Sequence, residues 1–293
     1  MITILGPTAC GKTNLAVYVA NMLDGEIISA DSRQVYRGMD IGTGKDLDEY
    51  TLNGKQIPYH LIDICEPGEE YNVFRFQKDF LTSYSRITEK GKMPILCGGT
   101  GFYIESVLKG YHLHEVPENQ ELRNELNEKT VEELIETLSS LRKLHNTTDI
   151  IDRQRLIRAI EIESFKKDIQ TDDFPKIDSV IFGINYDREK VRQRITERLR
   201  TRLQTGMIEE VEGLINSSVS PEKLLFYGLE YKYVTLYLQN QLSYDEMFRL
   251  LNIAIHQFAK RQMTWFRKME RSGINIHWID GELSIERKLE EIE

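Results

Sequence analysis

The sequence predicts an α/β fold: a parallel sheet flanked by helices, with a helical insertion domain and a helical carboxyl-terminal region. Three observations predict it. Short apolar runs alternate with amphipathic stretches through the first hundred residues, the rhythm of parallel strands joined by crossover helices. Residues 118–167 then carry helical patterns and no strand signal. Strand character returns only at Ser179–Ile184 and at Ile274–Ile279. The 293 residues therefore divide into the first part of an α/β core (1–116), a helical insertion (117–172), and a segment (173–293) that completes the core and adds helices.

The elements follow in order. Ile2–Leu5 is a continuous apolar run, as a strand buried on both faces requires, and Lys12–Leu23 follows it with helical periodicity. Glu26–Ala30 reads as a second strand, expected beside the first, with further strands at Tyr59–Ile64 and Pro94–Cys97. Helices are expected at Val73–Glu89 and Phe102–Leu108. The insertion should hold three more, at Asn119–Glu128, Thr130–Leu144 and Asp152–Lys166. Thr130 followed by Glu133 is the capping-box signature that opens the second of these. Asp172-Asp173-Phe174-Pro175 marks a loop, and most of the remainder is helical.

Composition narrows the class. At 40% hydrophobic and 29% charged residues the chain is neither disordered, collagen-like nor membrane-embedded. A net charge of −9 argues against a protein that coats nucleic acid indiscriminately, yet it permits a local basic face. Cys10, Cys65 and Cys97 form no C-x-x-C pair, which excludes a disulfide framework and fits a reducing compartment. The six histidines make no zinc-binding spacing, and His112 and His114 alternate as on a strand edge. No apolar run approaches the ~20 residues of a membrane span, and the opening residues lack signal-peptide character. A soluble, monomeric, cytoplasmic protein without a membrane partner is expected.

The strongest chemical signal is Gly6-Pro7-Thr8-Ala9-Cys10-Gly11-Lys12-Thr13, a full match to the phosphate loop G-x-x-x-x-G-K-[ST]. It stands between a strand and a helix, where backbone N–H groups converge on phosphate oxygens at a helix amino terminus. Lys12 would supply a point charge and the Thr13 hydroxyl would hold Mg²⁺. The motif alone does not choose the phosphate: a nucleoside triphosphate is the default, but a diphosphate fits the same cradle. Asp31 closes the second strand at the sheet's carboxyl edge, where ligands of open α/β sheets collect. It could hold Mg²⁺, act as a general base, or cap the following turn.

Two basic groups stand out from an acidic chain. Arg188 to Arg202 holds seven basic and two acidic residues, with Arg194, Arg198 and Arg202 on one helical stripe. Lys260, Arg261, Arg267, Lys268 and Arg271 form the second, with Trp265 and Phe266 between them. Arg153, Arg155 and Arg158 add to these from the insertion. A nucleic-acid face is one reading and a solvated helix surface the other.

Beyond the phosphate loop, Ser29-Ala30-Asp31-Ser32-Arg33-Gln34-Val35-Tyr36, Gly38-Met39-Asp40-Ile41-Gly42-Thr43-Gly44-Lys45 and His60-Leu61-Ile62-Asp63 resemble the tRNA dimethylallyltransferases, also called tRNA isopentenyltransferases. So do Gly98-Gly99-Thr100-Gly101-Phe102-Tyr103, the stretch from Gln154 to Glu161, and the stretch from Ala259 to Arg267. The resemblance implies transfer of a dimethylallyl group from dimethylallyl diphosphate to N6 of the adenosine just 3′ of a tRNA anticodon. It implies that the phosphate loop holds the allylic diphosphate, that Asp31 takes the proton from the amine, and that Thr100 contacts the transferring centre. Arg198 would bind the departing diphosphate. Contact with tRNA is implied for Asp31, Ser32, Arg33, Gln34, Thr100, Arg123, Gln154, Arg155, Leu156, Ile157 and Arg158, and for the segment near Phe226–Glu230. Three alternatives stay open: prenylation of a free adenine nucleotide, a small-molecule kinase sharing only the loop, and a non-catalytic RNA-binding module.

Overall fold

All four residues of β1 (Ile2–Leu5) are buried, and this apolar strand runs near the middle of a six-stranded sheet. The computed structural model describes residues 1–142, 152–166, 174–217 and 219–293. Chain order continues with α1 (Lys12–Met22), β2 (Gly25–Ala30), a small hairpin of β3 (Thr51–Leu52) and β4 (Lys55–Gln56), then β5 (Tyr59–His60). Next come α2 (Val73–Glu89), β6 (Met93–Gly98) and α3 (Gly101–Leu108). Three helices follow, α4 (Gln120–Asn127), α5 (Val131–Leu141) and α6 (Arg153–Lys166). The last stretch holds β7 (Val180–Asn185), α7 (Arg188–Gln204), α8 (Met207–Asn216), α9 (Pro221–Leu224), α10 (Leu229–Leu238), α11 (Tyr244–Arg271), β8 (His277–Asp280) and α12 (Ile285–Glu290).

The chain forms two compact units. One comprises Met1–Gly110 with Lys176–Glu293, and the other Tyr111–Pro175. In the first, the sheet order is β5-β2-β6-β1-β7-β8 and every pairing is parallel. Ile2 and Ile4 share one face with Ile27, Ile95, Cys97, Phe182 and Ile184, the period-2 set of parallel strands, and α1 packs on them. Helix α2 packs against β2 and β6, so the central strands are covered on both sides.

Several expectations need correction. Glu26–Ala30 does not lie beside β1, because β6 runs between them. Parallel neighbours are joined by crossovers of any order, so the lateral sequence of strands is not written locally. The strand expected over Tyr59–Ile64 ends at His60: Leu61 (φ 63°) and Asp63 (φ 54°) take the left-handed conformation, which turns the chain out of the ladder. A single Tyr36–Cys65 bridge continues beyond it. The β3–β4 hairpin, turned by Asn53-Gly54, is mostly exposed and so leaves no apolar pattern. His112 and His114 lie outside any strand, and the last strand starts at His277 rather than Ile274.

Register places the site. Leu5 of β1 pairs with Gly98 of β6, and Ala30 of β2 pairs with the same Gly98. Three strands therefore finish level, and the residues that follow them (Gly6, Asp31 and Gly99-Thr100) leave the sheet side by side.

The Tyr111–Pro175 unit has its own small core of Leu126, Leu134, Leu138, Leu156, Ile157 and Ile160. The capping box forms as the sequence indicates, with the Thr130 N–H donating to Glu133 Oε2 at 2.7 Å and the Glu133 N–H to Thr130 Oγ1. Arg153 closes the end of α4 by donating to the carbonyls of Leu126, Asn127 and Lys129. Glu161, 1% exposed, accepts from the Asn119 N–H, Arg123 and Arg158. Burial alone would raise its pKa; Arg123, the Asn119 N–H and Arg158 outweigh burial and lower it. The expected helix over Thr130–Leu144 and the expected loop over Asp172–Pro175 run partly outside the described residues. Among the described residues no helix is long and apolar enough to cross a membrane.

Candidate functional site

The phosphate loop spans Gly6 to Thr13 between β1 and α1. Gly11, at φ 80°, is the N-cap of α1, a left-handed conformation that suits glycine and turns the chain into the helix. No side chain caps α1, so its first N–H groups are presented to the cavity in front of it. Lys12 Nζ donates to the Pro7 carbonyl at 2.9 Å and lies 3.9 Å from Cys10 Sγ, which holds the ammonium over the loop.

Beside it stand the ends of β2 and β6. Asp31 Oδ1 accepts from the Arg33 N–H at 2.9 Å, which fixes the carboxylate at the strand end. Ser32 N–H donates to Thr100 Oγ1 at 3.1 Å, and the Thr100 N–H donates to the Ala30 carbonyl. Gln34 accepts from Ser29 Oγ and donates to the Gly44 carbonyl, so its amide ties β2 to the following loop. A third tie comes from α11. Gln262 accepts from the Thr8 N–H at 2.8 Å and donates to the Gly99 carbonyl at 2.9 Å, clamping the phosphate loop to the Thr100 loop.

The basic stripe of α7 faces the same space. Arg194 Nε donates to the Ala9 carbonyl at 2.8 Å, its guanidinium 4.9 Å from the centre of the Tyr186 ring. Arg198 donates to Asp46 Oδ2 at 2.7 Å, and Arg202 lies 3.7 Å from the same oxygen. Burial, then the neighbouring Arg198, lowers the Arg202 pKa to about 10. The stripe is thus neither a solvated face nor an outward RNA face: it turns toward the phosphate loop. The second basic group is different, with Lys260, Arg261, Arg267 and Arg271 exposed while Phe266 is core. A cavity of about 920 Å³ joins Lys12, Thr13, Asp31, Thr100, Arg198 and Trp265.

A family model described as IPP transferase matches residues 34–269, four-fifths of the chain. The chain belongs to the IPP transferase family. A second model, described as isopentenyl transferase, matches residues 1–59. A tRNA dimethylallyltransferase 2 of Bacteroides fragilis is 60% identical over 291 residues, covering 99% of this chain and 95% of that protein. One from Phocaeicola vulgatus is 59% identical, covering 100% and 96%. The crystal structure of a tRNA isopentenylpyrophosphate transferase from Bacillus halodurans matches with a TM-score of 0.70 at 31% identity, covering 99% of this chain and 93% of that one. A eukaryotic dimethylallyltransferase described as acting on tRNA shares the fold, with a TM-score of 0.76 at 23% identity, covering 96% and 73%.

This IPP transferase brings many of the expected site residues onto one cavity. Thr8, Ala9, Gly11, Lys12, Thr13, Asp31, Ser32, Arg33, Gln34, Thr100 and Arg198 line it, whereas Gly6, Pro7 and Cys10 of the loop do not. Cys10 is 2% exposed and packs in the core. The remaining expected RNA contacts, Arg123, Gln154, Arg155, Leu156, Ile157 and Arg158, belong to the Tyr111–Pro175 unit. Leu156 and Ile157, expected at the RNA, are instead core residues of that unit, 0% and 2% exposed. Arg123 and Arg158 are committed to Glu161, which leaves Gln154 and Arg155 as the exposed members.

Residues missed from the sequence alone include Gln262 and Glu210, while Arg202 is marked there only as a member of the basic stripe. Glu210 accepts from the consecutive N–H groups of Asp40, Ile41 and Gly42, at 2.9, 2.7 and 3.0 Å, and from Tyr231 Oη at 2.6 Å. It anchors the loop that carries Gly44 and Asp46. Gln262 did carry a signal: it is a polar residue on the buried stripe Met247, Leu251, Ile255, Ala259, Phe266 and Met269 of α11.

Proposed function

We propose that the chain transfers the dimethylallyl group of dimethylallyl diphosphate to N6 of the adenosine 3′ of the anticodon in tRNA. The observation that carries this reading is the meeting of a phosphate loop, a strand-end carboxylate (Asp31) and Thr100 on one cavity with Arg198 across from them. The diphosphate would lie on the loop N–H groups and Lys12. The allylic carbon would then point toward Asp31 and Thr100. The N6 nitrogen attacks that carbon as its bond to the diphosphate oxygen breaks. Asp31 takes the proton that N6 loses, and the electron pair of the broken bond leaves with the diphosphate. Lys12, Arg198 and the helix N–H groups stabilise that growing negative charge.

Thr13 suits Mg²⁺. It lines the cavity with Lys12, and Mg²⁺ prefers a few hard oxygen ligands shared with phosphate. When bound, the ion would neutralise diphosphate charge.

An RNA acceptor is supported by the aromatic rim of the cavity. Phe226 is 78% exposed there, and Phe102, Phe258 and Trp265 stand with Arg261 and Lys268 over the rings of the last two. Such rings suit splayed, unstacked bases. Incubation with labelled dimethylallyl diphosphate and either tRNA or AMP tests the proposal. Label should enter tRNA only; label entering AMP alone would establish the free-nucleotide transferase instead.

A further inference from the structure

The Arg198–Arg202 pair holds more positive charge than its protein partners satisfy. Arg202 is 12% exposed and lies one helical turn beyond Arg198, and one of its terminal nitrogens (NH2) is buried without a hydrogen-bond partner. Its ion-pair partner is Asp46 at 3.7 Å, beyond hydrogen-bond range, and Asp46 gives its short bond to Arg198 instead. The Glu230 carboxyl is nearby, but no hydrogen bond or ion pair joins it to the guanidinium, and burial raises its pKa. Gly44 (φ 70°) supplies the room: any side chain there would collide with the terminal nitrogens of both arginines. Both arginines also face Thr8 and Ala9 of the phosphate loop across a cavity of about 10 Å³.

Two like charges are thus held against an anion site, with one donor unspent and a half-exposed carboxylate as their counter-ion. We propose that Arg202 is a second guanidinium for the diphosphate, acting beside Arg198, and that Asp46 is the resident carboxylate which the diphosphate displaces. This rests on the phosphate loop holding a diphosphate. Asp46 has 47% of its side chain in solvent, so it can swing into water and be resolvated. The guanidinium, 12% exposed and with a buried terminal nitrogen lacking a hydrogen-bond partner, has no such alternative. In the reaction the pair would meet the charge that appears on the leaving oxygens.

Calorimetry with inorganic diphosphate and with dimethylallyl diphosphate, on wild type, Arg202→Met, Arg202→Lys and Asp46→Asn, tests this. Loss of a charge-assisted contact should weaken inorganic diphosphate binding to Arg202→Met by about 10–100-fold, with partial recovery in Arg202→Lys. Asp46→Asn should bind it several-fold more tightly, since the competitor is gone. Affinity for tRNA should stay within about twofold in all three. Unchanged diphosphate affinity in a folded Arg202→Met would overturn the role of Arg202 and leave the phosphate-loop reading intact. Should Arg202→Met fail to fold, weaker or unchanged binding by Asp46→Asn overturns it. Failure of wild type to bind either diphosphate sinks both.

Discussion

At the scale of single residues, the site depends on side chains whose atoms have one task each. Asp31 is the carboxylate at the end of β2, oriented by the Arg33 N–H and placed beside Thr100. Asp31→Asn preserves that hydrogen bond through the amide oxygen and removes the proposed base. Single-turnover transfer should fall by about 10²–10⁴-fold with diphosphate affinity unchanged. A rate within a few-fold of wild type would make Asp31 a scaffold residue. Gln262 has a contrasting role, because it touches two loops by their backbones. Gln262→Leu would leave the Gly99 carbonyl and the Thr8 N–H without partners, a cost of about 1–3 kcal/mol. Urea unfolding should show that loss together with a raised KM for the diphosphate; full stability with normal KM would exclude the clamp.

At the scale of elements, α4, α5 and α6 hold together through a thin apolar core and one carboxylate. Glu161→Gln withdraws charge from Arg123 and Arg158, whose side chains are 24% and 36% exposed and can be partly resolvated by water. A loss of about 1–3 kcal/mol in this unit at neutral pH is therefore expected. The sign with pH follows from the lowered pKa of Glu161 in the folded protein. The stabilisation is complete above the unfolded value of about 4.3 and fades as pH falls through the lower folded value. Amide exchange in α6 should thus separate variant from wild type at pH 7 and separate them less in acid below the unfolded value. A gap of equal size at both would remove the ionic account. The same network decides how to test RNA contact by α6. Arg158 is structural, so its replacement confounds binding with stability. Arg155 is exposed, with its Nε 3.7 Å from Asp152 Oδ2. Arg155→Ala should weaken tRNA binding and lower the salt slope by about one counterion. Normal affinity and slope in a filter assay would take Arg155 out of the RNA interface.

At the scale of the whole molecule, the charge is distributed by task. A chain of net charge −9 concentrates Lys12, Arg194, Arg198 and Arg202 around one helix amino terminus, the arrangement of an anion site and not of a general polyanion binder. The loop resembles those that hold nucleotides, but the neighbouring Asp31 and Thr100 suit an acceptor amine. Turnover should therefore proceed with dimethylallyl diphosphate, tRNA and Mg²⁺ in the absence of ATP. Product formation that requires ATP hydrolysis would contradict the assignment of the loop.

The sequence by itself determined the α/β class, the phosphate loop and the capping box of α5, because each is a contiguous pattern read over a few residues. Asp31 and Thr100 were legible as strand-end residues within motifs. The tertiary structure alone decided that β6 separates β1 from β2 and that their ends finish level. It also decided that the arginine stripe of α7 turns inward, and that Leu156, Ile157, Arg123 and Arg158 serve the fold of their own unit. The stripes that carry Gln262 and Arg202 were legible, but the contacts of Gln262, Glu210 and Arg202 were not, for a common reason. Their partners lie 254, 168 to 170 and 156 residues away in the chain, and only packing of the sheet and its helices brings those atoms within hydrogen-bond or ion-pair distance. Local periodicity reports which face of an element is buried; it does not report which distant backbone that face will meet.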